Sequence, residues 1–164
     1  MMHGIIVSTC YGMPVSDQPE DLRAFADEVW MGVACGTDLQ EYYISPEMMS
    51  PMWWDILAGG IRWLRANESV LRDTHWVGGA PSRGEIYGYA SWSPKKSIVA
   101  VRNPSDEAQT WKADLAVALE LPQGVLVPKA SKIVYASSGR MLEQLVASDG
   151  SVALEPFETV VIEY

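Results

Sequence analysis

The feature that most constrains what this chain can fold into is a change of pattern near residue 80. Ahead of it, strand-like and helix-like stretches alternate. Behind it come short β-like runs broken at close intervals by turn residues. The first pattern is that of βα repeats and the second that of antiparallel strands, so the chain is expected to be α+β and to change architecture in midcourse.

The first half reads as strand, helix, strand, helix. Gly4 to Cys10 has the apolar content of a buried strand, and the loop from Pro14 to Pro19 follows it. From Asp21 to Ala34, Leu22, Phe25, Ala26, Val29, Met31 and Val33 fall near helical spacing, with acids where the helix dipole favours them. Leu39 to Ser45 reads as a second strand. Ser50 and Pro51 then suit the N-cap and first position of a second helix, in which Trp54, Leu57, Ile61 and Leu64 recur at i, i+3, i+7 and i+10. Of the adjacent Trp53 and Trp54, about 100° apart on a helix, one must face the core while the other faces a partner or solvent. Two such units cannot close a barrel on their own. The segment from Asp73 to Pro81 is dense in Gly and Pro and reads as a connection.

In the second half, strands are expected at Glu85 to Trp92, Ser97 to Asn103, Gln109 to Leu115, Lys132 to Ser137, Leu142 to Ala147 and Thr159 to Tyr164. Turns fall at 93–96, 103–106, 138–140 and 148–150, where Pro, Gly, Asn and Asp supply the required φ. Ala113 to Leu121 could instead form a brief helix. The domains are therefore drawn as a βα segment, residues 1–80, and an antiparallel β-sandwich, residues 81–164.

Composition narrows the function. A net charge of −9 with only 12 Lys and Arg is unsuited to neutralising phosphates, so no nucleic-acid partner is expected. No run reaches the roughly twenty apolar residues that span a bilayer, so no membrane partner is expected. The N-terminus lacks the basic region of a signal peptide, which leaves the location of the protein open. Seven Trp and seven Tyr against two Phe form a set of flat apolar faces with polar tips. Such a set suits sugar stacking as well as core packing. Cys10 and Cys35 permit one bridge but no zinc site. The Gly pairs at 59–60 and 78–79 lack the surroundings of a phosphate loop, and no cofactor is expected.

Glycoside cleavage needs two facing carboxyl groups. Asp38 and Glu41 are the candidates, with Asp73 beside His75 as a further one, although capping or solvation is the plainer role for Asp38 and Glu41. Asp73, His75, Trp76 and Trp92 are candidates for contact with carbohydrate. Tyr87 joins Trp92 if an exposed coplanar pair forms on one sheet face. A lone His in a Gly-rich loop is more commonly a hydrogen-bonded structural residue, and two His cannot assemble a multi-His metal site.

The stretches Met31 to Pro46, Trp63 to Asn67, Asp73 to Gly79, Tyr87 to Pro94, Arg102 to Asp106 and Leu154 to Glu163 together resemble a family of bacterial multidomain α-galactosidase-like glycoside hydrolases, some called enterotoxins. The resemblance implies that residues 1 to about 72 are the seventh and eighth repeats of a (β/α)₈ barrel, followed by its β-sandwich. It also implies that the principal catalytic carboxylates lie in the six repeats absent here, so that the fragment alone is inactive. Carbohydrate would be the partner of the parent protein, and the opened barrel strands would drive self-association through the helical half. A carbohydrate-binding module or an interaction protein are the alternatives.

Overall fold

The first helix, α1 (Pro19–Ala34), opens with Pro at its first position and Glu20 and Asp21 in its first turn. It carries apolar residues on two faces, and that decides the architecture. Phe25, Val29 and Val33, at successive i+4 spacings, enter one core; Met31 and Ala34 enter another. In the computed structural model, which describes residues 2–7 and 16–164, α1 is therefore packed on both sides.

On one side lie β1 (Met2–Val7) and β2 (Leu39–Ile44), which pair in parallel with Ile5 opposite Tyr42. The helix α2 (Pro51–Ala66) completes this layer, its N-terminus capped by the Ser50 hydroxyl, which accepts from the Trp53 amide. Ile5, Phe25, Val29, Val33, Met49, Trp53 and Leu57 form its core. Gly60 permits the close helix crossing, because a Cβ there would stand 2.6 Å from Val29 Cγ1. Leu57, Ile61 and Leu64 enter this core as expected, but Trp54 does not: Trp53 is buried and stacks on Phe25, while Trp54 is exposed. The expected strand's last residues, Ser8 to Cys10, lie outside the described residues, as do Pro14 and Val15 of the following loop.

A single-turn helix, α3 (Glu68–Leu71), leads into β3 (Thr74–Gly78), β4 (Tyr87–Ser93) and β5 (Lys96–Arg102). After β6 (Gln109–Trp111), α4 (Leu115–Ala118), β7 (Lys132–Ala136), α5 (Leu142–Leu145) and β8 (Val152–Leu154), the closing strand is β9 (Thr159–Glu163). One five-stranded antiparallel sheet has the order β3-β4-β5-β9-β7, and β6 pairs with β8 alone. The α+β class expected from the sequence is the one observed.

Alternation of side chains gives the large sheet two buried faces. Val77, Ala90, Val99, Val101, Val160 and Ile162 point toward β6, β8, α4 and α5. Ile98, Ala100 and Val161 point the other way, onto Met31, Ala34, Val70 and Leu71 of α1 and α3. Polar contacts lock this second junction. Tyr135 donates to buried Asp27 at 2.8 Å, and Lys96 bridges Asn67 and Glu163. Trp30 stacks on Tyr135 and meets Trp63 edge-on.

Two local expectations are corrected. The stretch 73–81, read as a connection, contains β3, because Thr74–Gly78 pairs with Tyr87–Ser91. The run Leu142 to Ala147, read as a strand, begins with a helical turn in which Gln144 Oε1 accepts from the Met141 amide; Leu142, Leu145 and Val146 also fit helical spacing. The second layer of the sandwich is consequently reduced to β6, β8 and two short helices. The alternative helix within 113–121 is present as α4, capped by Asp114.

Candidate functional site

Two places gather the residues singled out from sequence. The first is the face of β2 turned away from α1 and α2. Gln40 faces the helices and donates to the Gly32 and Gly36 carbonyls, while Tyr42 and Ile44 join the helical core. Leu39, Glu41 and Tyr43 therefore project from the opposite face. The Tyr43 hydroxyl donates to Glu41 Oε2 at 3.0 Å and fixes the direction of that carboxylate. Asp38 is exposed in the turn just before β2. Burial pushes the thiol pKa of Cys35, next to this turn, upward, which keeps it protonated.

The second place is a cleft of about 870 Å³ along the free edge of β3. One wall is β3 itself with the turn that follows it; the other is β6, the residues after it up to Asp114, and the end of α4. His75 and Trp76 lie here together, on opposite faces of the strand. His75 Nε2 lies 2.6 Å from the Ala118 carbonyl, which can only accept, so Nε2 carries the proton. Nδ1 is buried, with no hydrogen-bond partner among the described residues. Trp76 is 44% exposed, and its indole is held by Tyr87, stacked at 5.2 Å and 13°, and by Tyr89, edge-on at 5.7 Å. Burial raises the Tyr89 phenol to about 12, so it stays neutral.

The remaining candidates separate. Asp73 is exposed at the end of α3, just ahead of β3. Trp92 packs against the sandwich core, on the face of β4 opposite Tyr87, so the two cannot form one platform. Asp38 and Glu41 belong to the β2 face. Arg83, Glu85, Gln109, Lys112 and Asp114, which also line the cleft, went unnoticed in the sequence. They come from segments that only the sheet brings together. The one available signal was Tyr87 and Tyr89, at period two, aligned with a tryptophan on a neighbouring strand. Among the described residues no group of three or more His, Cys, Asp or Glu could hold a metal ion, and no helix is long and apolar enough to cross a membrane.

No protein-family model and no curated protein matches the chain. Solved structures do. The chain is similar to AmyP, crystallised in complex with maltose, over 90% of its own length and 35% of that chain, with a TM-score of 0.52 and 10% identity. It is similar to a mutant of the trehalulose synthase MutB over 78% of its length and 23% of that chain, at 0.47 and 15%. The trehalose-6-phosphate hydrolase of Bacillus licheniformis aligns over 74% and 20%, at 0.46 and 10%. The likeness to AmyP extends through both the βα layer and the antiparallel sheet, and what it establishes is the fold. The chain spans about a third or less of these matched chains.

Proposed function

We propose that the chain is the C-terminal part of a glycoside hydrolase, in which β1, α1, β2 and α2 are the closing repeats of a (β/α)₈ barrel and the sheet domain braces them. The finer assignment, an α-galactosidase-like enzyme of the retaining type, rests on the sequence resemblance. The observation that carries the reading is the β1–β2 pair itself. Parallel strands are ordinarily covered on both faces. Here one face lies under α1 and α2, and the other carries Glu41 and Tyr43. In a closed barrel that second face is the interior, and ligand-contacting groups cluster at the C-terminal ends of its strands.

In this reading Glu41, oriented by Tyr43, supplies an acceptor for sugar hydroxyls, and Asp38 lies at the opposite end of the strand from the chemistry. A retaining enzyme needs two carboxyl groups roughly 5–5.5 Å apart across the scissile bond, contributed by other repeats. The test is hydrolysis of nitrophenyl α- and β-glycosides by the native gene product and by the 164-residue chain in parallel. Cleavage by the native product alone supports the reading. Turnover by the isolated chain, or none by either, contradicts it.

A further inference from the structure

We propose that the free edge of β3 is a docking site for an extended peptide segment of a separate protein, which adds to the five-stranded sheet as a further strand. The proposal goes beyond the barrel reading, because described residues of this chain form the whole cleft.

The two edges of the sheet are built differently. At one, β7 carries Lys132 and a register shift between Ile133 and Tyr135, and both features discourage another strand. At the other, β3 has no proline, no lysine and no bulge, and its register to β4 runs unbroken from Thr74 to Gly78. The outward groups follow from the ladder. The Gly79 amide donates to the Ile86 carbonyl at 2.8 Å, which places His75 and Val77 in the hydrogen-bonded pairs and Thr74, Trp76 and Gly78 in the alternate ones. Those three residues turn their N–H and C=O groups away from β4, and among the described residues no strand takes them up. Unpaired backbone of this kind is matched by another extended backbone.

The cleft fits one strand. His75 and Val77 on one face of β3 and Trp76 on the other all line it, as residues do at an edge. A strand residue fills about 160 Å³, from a rise of about 3.3 Å and spacings of about 4.8 and 10 Å between strands and between sheets. The volume of about 870 Å³ therefore holds about five residues, the length of β3. The cleft is also preformed. His75 Nε2 donates to the Ala118 carbonyl at 2.6 Å and Gln109 Nε2 to the Gly84 carbonyl at 2.7 Å, so both walls are tied together and little ordering is left for binding.

Layering and charge indicate the partner. The helices α1 and α3 cover one face of the sheet, whereas β6 and α4 lie on the other. The cleft thus turns away from the parallel layer, and the added strand comes from another protein. Glu85, Asp114 and Glu120 outnumber Arg83 and Lys112 in the lining of a chain of net charge −9, which favours a segment flanked by Lys or Arg. Val77 and Trp111 line the cleft from the core side and call for apolar side chains at alternate positions.

The test titrates the full chain into a labelled, blocked heptapeptide of alternating valine and threonine with lysine at both ends, read by fluorescence anisotropy. Binding should saturate with a Kd of about 1 mM or tighter. Hydrogen exchange should slow at the Thr74, Trp76 and Gly78 amides and stay unchanged at His75 and Val77. Trp76→Pro should bind about tenfold more weakly than Trp76→Ala, because both lose the indole and only the first loses the outward N–H. Where the proline variant does not fold, a probe with proline at its centre replaces it and should not bind. Absence of saturation, equal affinity of the two folded variants, or full binding of the proline probe overturns the proposal. So does protection of the three amides without peptide: in this chain, rising with concentration, it marks a second copy as the occupant, and in the native gene product it marks a segment of the same chain. Inactivity of the native product toward glycosides would remove the barrel reading and leave this titration standing.

Discussion

At the scale of single residues, the polar corner beneath the β5–β6 and β8–β9 connections shows why buried charge is tolerated. Glu158 is 1% exposed, yet Arg140 pairs with it, the Ser138 hydroxyl donates to it, and the Glu155 amide donates to Oε2 at 2.7 Å. Asn103 is fully buried beside it, donating to the Glu107 and Glu155 carbonyls and accepting from the Ser105 amide. A buried carboxylate deprived of its partner keeps its desolvation cost and loses the compensating attraction. Arg140→Ala is expected to destabilise the chain by about 3–5 kcal/mol in urea unfolding. Replacement of Glu158 by Gln together with Arg140→Ala should recover part of that loss. This corner is structural and lies away from the cleft beside β3.

At the scale of elements, the seam between α1 and the sheet is governed by Asp27. Burial raises its carboxyl pKa above the usual 3.8, opposed by hydrogen bonds from Tyr135 and Ser137 and by the Arg102 and Arg23 charges. Glu28 beside it is raised for the same first reason. A carboxyl whose folded-state pKa exceeds its unfolded value binds the proton more tightly in the folded state. It therefore favours folding most below 3.8 and less as pH rises through its shifted value. Asp27→Asn, which keeps an acceptor for Tyr135, should remove that downward slope, as measured by thermal melting across pH 3 to 7. Long periodic elements such as α1 and α2 were legible in the sequence because period and caps agreed. Thr74–Gly78 was hidden because its Gly-Gly ending signals a turn equally well, and Leu142–Val146 because its apolar spacing fits helix and strand alike. The cleft was illegible for a different reason: Arg83 is distant in sequence from Gln109 and Lys112, and only the folded sheet domain brings them to one cleft.

At the scale of the whole molecule, α1 and α3 join the parallel layer to the antiparallel sheet, and among the described residues one face of the parallel pair is left uncovered. Among the described residues β1 and β2 pair only with each other, and Leu39 and Tyr43 are 46% and 53% exposed on the uncovered side. Open strand edges with apolar neighbours favour pairing with another chain. The isolated chain should self-associate through this half in sedimentation velocity at micromolar concentration, and a sharp monomer would contradict that expectation. In the proposed reading, β1 to α2 close a barrel begun elsewhere in a longer protein. Intact mass of the native gene product tests it most directly. Six further repeats of a barrel of about 250 residues would add on the order of 190 residues, so the account predicts a mass about twice 18.1 kDa or more. A native product of 18.1 kDa would contradict it.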